Sequence, residues 1–164
     1  MTENAFPVRA WPDICSAYRD GDLAKACLAL QEAFAIDVPL LLVLSLADRA
    51  GYGIASVSVD DLVRGAAAWR ETVIVPLRQA RQGMKLKFTA PAEAALREGI
   101  KRLELEAEHQ HVLRLVDALP PPIAEVGAAS HYLSASGLTA DAADDFIQTF
   151  KAACAAQIAS SDHE

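Results

Sequence analysis

Glutamate and histidine side chains recur at helical spacing in the segment 104–111, and these residue types are suited to holding a metal ion. Glu104, Glu108 and His111 share one face if this segment is helical. Di-iron bundles use a Glu-x-x-His spacing, but they take their ligands from several facing helices. Here the overlapping copies lie on one segment, so we predict that the protein binds no stoichiometric metal. The same face is then ion-paired or solvated.

A basic stripe is the second arrangement that could do chemistry. Arg70, Arg78, Arg81 and Lys85 fall within about 80° of one another at 100° per residue, beside an apolar stripe that begins at Trp69. Residues 64–102 carry nine Lys or Arg and three Glu, a local balance of +6. Because the whole chain carries −7, the remainder holds −13. Such asymmetry favours attraction of an acidic partner or an anionic ligand.

Three interpretations of the stripe stay open. Its arginines could pair with carboxylates of the same fold, for instance Glu104 and Glu108, because a planar guanidinium holds a carboxylate bidentately. They could instead form a surface for an acidic protein partner. In the third interpretation a small anion, as a bound ligand or the substrate of an enzyme, occupies a pocket near Trp69, Arg70 and Arg78.

Position along the stripe separates these interpretations. We expect Arg70 and Arg78, nearest the tryptophan, to serve stability, and Arg81 and Lys85, near the helix exit, to be exposed. Unpaired arginines in a cleft would favour a ligand. Nucleic acid is not expected as a partner, since the net charge is −7 and no aromatic residues alternate with the four cations.

Other catalytic signatures are missing from the sequence. It has no Gly-x-Ser-x-Gly elbow, phosphate-binding loop, dinucleotide fingerprint or Cys-x-x-Cys pair, so we assign no catalytic residue and no cofactor. Three scattered cysteines, Cys15, Cys27 and Cys154, favour a reducing compartment. No apolar signal segment precedes residue 10, and the most apolar run, 38–47, is about half the length that spans a bilayer. We therefore expect a cytoplasmic protein without a membrane segment.

These side chains must be positioned by helices. Alanine and leucine dominate the composition, aromatic residues make up 6%, and the apolar residues recur with helical period. The sequence predicts an all-α fold, a single compact domain of about six to eight helices over residues 1–164. We expect flexible ends at about 1–10 and 160–164.

The segment 38–49 is predicted to be the central helix. Asp37 can cap its amino terminus, and leucine and valine surround it on every side, which is typical of a helix in the middle of a bundle. Gln31 lies one position away from the buried stripe of the preceding helix. A backbone hydrogen bond is the expected role of its amide, and lining a pocket is the alternative.

Boundary signals place the other helices. Asp22, Thr89 and Thr139 are predicted caps, and Pro76 is expected to kink or split the helix that carries the basic stripe. The segment 123–133 is predicted to be a weaker helix after the run of three prolines.

Four sequence blocks carry a resemblance to a known family. They are residues 26–31 (ACLALQ), 37–42 (DVPLLL), 69–71 (WRE) and 75–78 (VPLR), the last followed by Arg81 and Lys85. In order and spacing the blocks resemble an uncharacterised family of small proteobacterial proteins, known mainly as a domain of unknown function. Pro39 stands where that pattern has an asparagine-like residue. The resemblance implies an all-helical, cytoplasmic bacterial protein and carries over no catalytic residue, substrate or cofactor.

Together these observations favour a non-enzymatic interaction or accessory protein. The ligand- or partner-binding residues we select are Trp69, Arg70, Arg78, Arg81 and Lys85. The alternative is a small-anion binder or enzyme whose pocket lies near the first three of them.

Overall fold

The computed structural model describes residues 6–161, and its regular elements are helices. They are α1 (Ala10–Ala17), α2 (Gly21–Phe34), α3 (Val38–Arg49), α4 (Ser56–Trp69), α5 (Val75–Met84), α6 (Pro91–Asp117), α7 (Ala128–Ala135) and α8 (Ala140–Ser161). A π-helical segment, Arg70–Ile74, joins α4 to α5. The β-pairing within 6–161 is one isolated bridge between Gly53 and Ile123. The predicted all-α fold is confirmed.

Helix α3 forms the centre of the core, as predicted. Each residue from Val38 to Ala47 is buried, so no side of the helix faces water along that stretch. The Asp37 carboxylate accepts a hydrogen bond from the Leu40 N–H at 3.1 Å and caps the helix. Complete burial of one leucine stabilises a fold by roughly 1.5–3 kcal/mol, which makes α3 the main contributor to the core.

Helix α2 begins two residues earlier than predicted, at Gly21. Asp20, and not Asp22, is the cap, because its carboxylate accepts hydrogen bonds from the N–H groups of Asp22 and Leu23, both at 3.0 Å. Asp22 lies in the first turn instead, where its negative charge interacts favourably with the helix dipole.

The predicted threonine caps of α6 and α8 have different outcomes. Thr89 does not cap α6; the Glu93 side chain reaches back and accepts a hydrogen bond from the Ala90 N–H at 2.9 Å. The predicted Thr139 cap of α8 is confirmed, since its hydroxyl accepts a hydrogen bond from the Ala142 N–H at 3.2 Å.

Helix α1 was not predicted from the sequence. Pro12 stands within its first turn, where a missing N–H costs nothing, and Ala10, Ile14 and Ala17 are buried on one face. Just before it, the ring of Phe6 packs edge-on against Tyr52 at 5.4 Å between centroids. Phe6 and Ala10, in the segment expected to be flexible, therefore pack against the body of the protein. Residues 1–5 and 162–164 lie outside the described part.

The predicted kink at Pro76 takes the form of a change in helix type. Pro76 has no N–H to donate, and the five residues Arg70–Ile74, immediately before α5, form π-helical turns. This segment sets the direction in which α5 leaves α4.

Helix α7 starts at Ala128, later than the predicted start at 123, and a distant side chain caps it. The Asp48 carboxylate accepts hydrogen bonds from three successive N–H groups, those of Gly127, Ala128 and Ala129, at 2.8, 2.9 and 3.0 Å. Because Asp48 lies in the last turn of α3, this cap fastens the end of α3 to the start of α7.

Helix α5 and the first half of α6 form a hairpin outside the core. Arg78 pairs with Glu108, whereas Arg81, one turn later, pairs with Glu104, so the two helices run antiparallel. Helix α5 has no buried residue, and the first buried residue of α6 is Glu104. The core cluster includes no residue between Ala66 and Val112. The hairpin therefore extends from the body.

Candidate functional site

A cluster of two arginines and two glutamates joins α5 to α6. Arg78 Nε donates to Glu104 Oε1 and its Nη2 donates to Glu108 Oε1, both at 3.0 Å. Arg81 donates to the same Glu104 carboxylate through Nε and, at 3.3 Å, through Nη2. The side chain of Arg78 is 14% exposed and that of Arg81 is 23% exposed. The expectation that Arg81 is an exposed cation is therefore wrong, because Glu104 lies within its reach.

The two carboxylates of the cluster differ in acidity. Burial raises the pKa of Glu104, but the hydrogen bonds from Arg81 and Arg78 outweigh it, so the net pKa lies below the usual value. Burial also raises the pKa of Glu108, and the single hydrogen bond from Arg78 does not overcome it. Glu108 is thus the carboxylate whose charge the protein compensates less well.

The remaining residues of the predicted stripe make contacts in different parts of the structure. Arg70 Nη2 donates to the carbonyl of Ala35 at 2.8 Å, and Trp69 Nε1 donates to the carbonyl of Ala107 at 3.0 Å. Lys85 lies exposed at the end of α5, and it forms no ion pair with any side chain that the structure describes. No described cavity is lined by Trp69, Arg70 and Arg78 together.

Trp69 does line a cavity, with an arginine that sequence reasoning missed. The cavity measures about 370 Å³ and lies between α4 and the second half of α6. The guanidinium of Arg114 lies 5.2 Å from the centre of the Trp69 ring, which is a cation–π contact. Asp61 and His111 line the same cavity. The sequence gives no sign of this pairing, because it crosses 45 residues between different helices.

His111 is engaged inside the core. Its Nε2 lies 2.8 Å from Asp37 Oδ2, and both side chains are almost completely buried. The N–H of Asp37 donates to the hydroxyl of Tyr132 at 2.9 Å. The predicted face of Glu104, Glu108 and His111 is thus divided between two different networks. Among the described residues no group of three His, Cys, Asp or Glu side chains is placed to hold a metal ion, and absence of metal from the protein stays a prediction.

A second cavity, of about 290 Å³, lies between α1, α2, α3 and α6. We call it the α1–α6 cavity. Its lining residues are Trp11, Ile14, Cys15, Tyr18, Arg19, Gln31, Val38, Pro39, Leu42, Leu105, Glu108 and Val112. Gln31 lines this cavity, and its amide forms no hydrogen bond with the part of the chain that the structure describes, so the expected backbone bond is absent.

Comparison with protein families matches residues 9–115 to a family described as a protein of unknown function, DUF2390. The chain belongs to this family. The match begins just before α1 and ends near the last turn of α6, so it contains every lining residue of the α1–α6 cavity and the whole hairpin. Neither the search of curated proteins nor that of solved structures found a match.

The cysteines of this DUF2390 protein are poor nucleophiles. Burial raises the pKa of Cys27 to about 12, and it also raises the pKa values of Cys15 and Cys154. Thiols with raised pKa values stay protonated near neutral pH, and the thiolate is the reactive form. The three thiols are unpaired. In residues 6–161, no helix combines the length and hydropathy needed to cross a membrane.

Proposed function

We propose that this DUF2390 protein is a non-enzymatic accessory protein that docks an acidic protein partner on its α5–α6 hairpin. One observation carries the proposal: exposed apolar side chains, and cations that form no ion pair with a described side chain, are concentrated on an element that extends from the core, and they alternate along residues 85–88. We call this set the hairpin surface, formed by Lys85, Leu86, Lys87, Phe88, Leu96, Lys101, Arg102 and Leu103.

Four large apolar side chains of the hairpin surface are exposed. Leu86 is 89% exposed, Leu96 and Leu103 are about 60% exposed, and Phe88 is 48% exposed. Exposed large apolar side chains gathered on one element, with charged residues beside them in the sequence, favour an interaction site. These side chains are exposed to water in the isolated protein, so their burial against a partner would contribute to binding affinity.

The charge of the hairpin surface supports an acidic partner. Its four cations, Lys85, Lys87, Lys101 and Arg102, form no ion pair with any described side chain, whereas Arg78 and Arg81 are neutralised by glutamates. A second copy of the same surface would bring like charges together, which disfavours pairing of two hairpins. An acidic helix or strand with apolar residues of its own is complementary in both respects.

Two further observations bear on this proposal. The three unpaired, protonated cysteines support a reducing compartment such as the cytoplasm. The small-anion alternative is second, because the cavity beside Trp69 offers one guanidinium, that of Arg114, and an acid, Asp61, lines the same cavity.

Capture from native cells with charge variants tests the proposal. Lys85→Glu with Lys87→Glu should abolish capture of an acidic protein that wild type retains and that about 0.5 M salt releases, since screening is strong at that ionic strength. Leu96→Ser with Leu103→Ser should abolish it as well. Lys25→Glu with Lys151→Glu is the matched control, because both lysines are exposed and lie outside the hairpin.

Three results would contradict the proposal. Capture that is the same for the hairpin variants and the control variant would place the interaction elsewhere. Conversion of a dimer to a monomer by Leu96→Ser with Leu103→Ser, measured by light scattering, would show that a second copy covers the surface. Capture of partners without an acidic surface would remove the electrostatic part of the argument.

A further inference from the structure

The α1–α6 cavity presents polar groups that the protein leaves without partners. Gln31 forms no side-chain hydrogen bond with the described residues, and neither does the hydroxyl of Tyr18. Glu108 accepts one hydrogen bond, from Arg78 to Oε1, so its Oε2 accepts none from residues 6–161. Tyr18 is 42% exposed and the Glu108 side chain 26%, so water reaches these groups in the free protein and a ligand that donates hydrogen bonds can replace that water.

Apart from these groups and from Cys15 and Arg19, the walls of the cavity are apolar. Five aliphatic side chains line it (Ile14, Val38, Leu42, Leu105 and Val112), and Pro39 joins them. Leu42 and Val112 belong to the core, so this part of the wall is fixed by the packing around α3. Small-molecule sites typically combine an apolar wall with a few convergent polar groups, and about 290 Å³ suits a small molecule rather than a peptide.

Aromatic rings complete the cavity on the α1 side. Trp11 and Tyr18 both line it, and the Trp11 ring stacks on His109 with 4.5 Å between centroids and 13° between planes. This stack fixes the orientation of Trp11 before any ligand enters. Faces of tryptophan and tyrosine attract cations through the ring quadrupole.

The charges around Glu108 favour a positive group in the cavity. Arg78 divides its donors between Glu104 and Glu108, and Arg81 is committed to Glu104. Asp37 lies close enough to act electrostatically on Glu108, which adds to the negative charge on this side. Arg19 opposes it at the cavity, but Arg19 is exposed and its charge is screened by solvent.

We propose that the α1–α6 cavity binds a small, mainly apolar molecule that carries a protonated amine. The ammonium donates hydrogen bonds to Glu108 Oε2 and to the amide oxygen of Gln31, and the apolar body lies against Trp11, Tyr18 and the aliphatic wall. The site is separate from the hairpin surface, so it does not depend on the docking function.

Three matched probes of one size test the site in the full-length protein. They are 3-phenylpropylamine, 3-phenylpropanol and 3-phenylpropanoate, which share an apolar body and differ in the charge of the end group. Binding is followed by ligand-observed NMR and by tryptophan emission, since phenyl probes do not absorb where tryptophan is excited. We expect the amine to bind about tenfold or more tightly than the carboxylate, the scale of a charge-assisted hydrogen bond.

Variants identify the acceptor. Glu108→Gln should weaken binding of the amine about tenfold and leave binding of the alcohol nearly unchanged. Glu106→Gln is the control, because Glu106 is exposed on the same helix and its carboxylate accepts a hydrogen bond from Gln110 and from no other described side chain. Gln31→Leu removes an acceptor that has no hydrogen-bond partner among residues 6–161, so this variant should fold even if Glu108→Gln does not. It should bind the amine more weakly than wild type does.

Each result of these binding experiments either supports or contradicts the proposed amine site. Preference for the amine that is lost in Glu108→Gln or reduced in Gln31→Leu supports the proposal. Tighter binding of the carboxylate would overturn it and would make Arg19 the recognising group. No binding of the amine at millimolar concentration, or equal binding by wild type and both variants, would overturn it as well.

Discussion

At the scale of single residues, the same side chain type has different roles according to its partners. Arg78 lies between two carboxylates, whereas Lys85, seven positions later in the chain, has no ionic partner among the described side chains. From the sequence, each of these cations could be paired with a carboxylate or exposed to solvent. Helical spacing shows on which side of its helix a residue lies, but it does not show which other helix packs against that side. For Arg81 the expected exposure was wrong for that reason.

Arg78→Ala should lower the free energy of unfolding by about 1–3 kcal/mol, the scale for removal of a partner from a partly buried carboxylate. Lys85→Ala is the control and should change it by less than about 0.5 kcal/mol, as is usual for exposed positions. Urea unfolding followed by circular dichroism measures both. Equal effects of the two substitutions would show that the Arg78 cluster does not stabilise the fold.

The two glutamates of the cluster should act on acid stability with opposite signs. The pKa of Glu104 is lowered in the folded protein, so as pH falls the unfolded chain takes up that proton first and stability is lost. The pKa of Glu108 is raised, so the folded protein takes up that proton first and gains stability as pH falls towards the ordinary value near 4.5.

Urea midpoints at neutral pH and near pH 4 distinguish these effects. Relative to wild type, Glu104→Gln should flatten the loss of stability on acidification, and Glu108→Gln should steepen it. Identical pH dependence of wild type and both variants would mean that neither carboxylate titrates differently in the folded and unfolded states.

Asp37 shows what sequence reasoning can and cannot recover at this scale. Its role as the cap of α3 follows from local spacing and is confirmed. Its contact with His111 joins positions 74 residues apart, and no local pattern reports such a pair. The α1–α6 cavity is hidden for the same reason, since its lining comes from four helices and only Gln31 was noticed as a possible lining residue.

At the scale of elements, the strength of the periodic signal decided which helices were predicted. Helix α3 is apolar on every side and was predicted with its cap. Helix α1 spans eight residues and contains Pro12, so its short apolar pattern gave no clear signal. Helix α7 was expected to start at 123. Instead, residues 119–127 are not helical, and Ile123 forms a β-bridge with Gly53.

The crossing at Gly53 gives a prediction for glycine. A Cβ atom built on Gly53 would lie 2.1 Å from the carbonyl oxygen of Glu125 and 2.3 Å from that of Ile123, so backbone would have to move. Gly53→Ala should therefore destabilise the protein by about 1–3 kcal/mol, the cost of overpacking.

Gly65→Ala is the matched control for Gly53→Ala. Gly65 lies inside α4 with nothing within 4 Å of its built Cβ, so alanine should stabilise the helix by up to about 1 kcal/mol. Thermal unfolding of the two variants measures the contrast. A neutral Gly53→Ala would show that the 119–127 segment does not lie against Gly53 in solution.

At the scale of the whole molecule, the basic part of the sequence largely coincides with the hairpin that extends from the core. The sequence shows that residues 64–102 are basic and the remainder is acidic, and the structure shows that much of the basic part extends from the core as a hairpin. A molecule with separated charges orients its partner before contact, which raises association rates at low salt. The sequence contains the charge separation, but the extension of the hairpin depends on which surfaces the other helices cover.

The Asp48 cap also has a consequence for the integrity of the fold. Residues 121–127 are exposed and lie between the family-matched region and the last two helices. If a protease cut the chain there, three hydrogen bonds to one carboxylate and the packing of α7 on α3 would still hold the C-terminal piece in place. The nicked protein should therefore migrate as one particle under native conditions. The same property makes this loop a site at which the described part of the chain can be divided into two separately expressed fragments that reassemble.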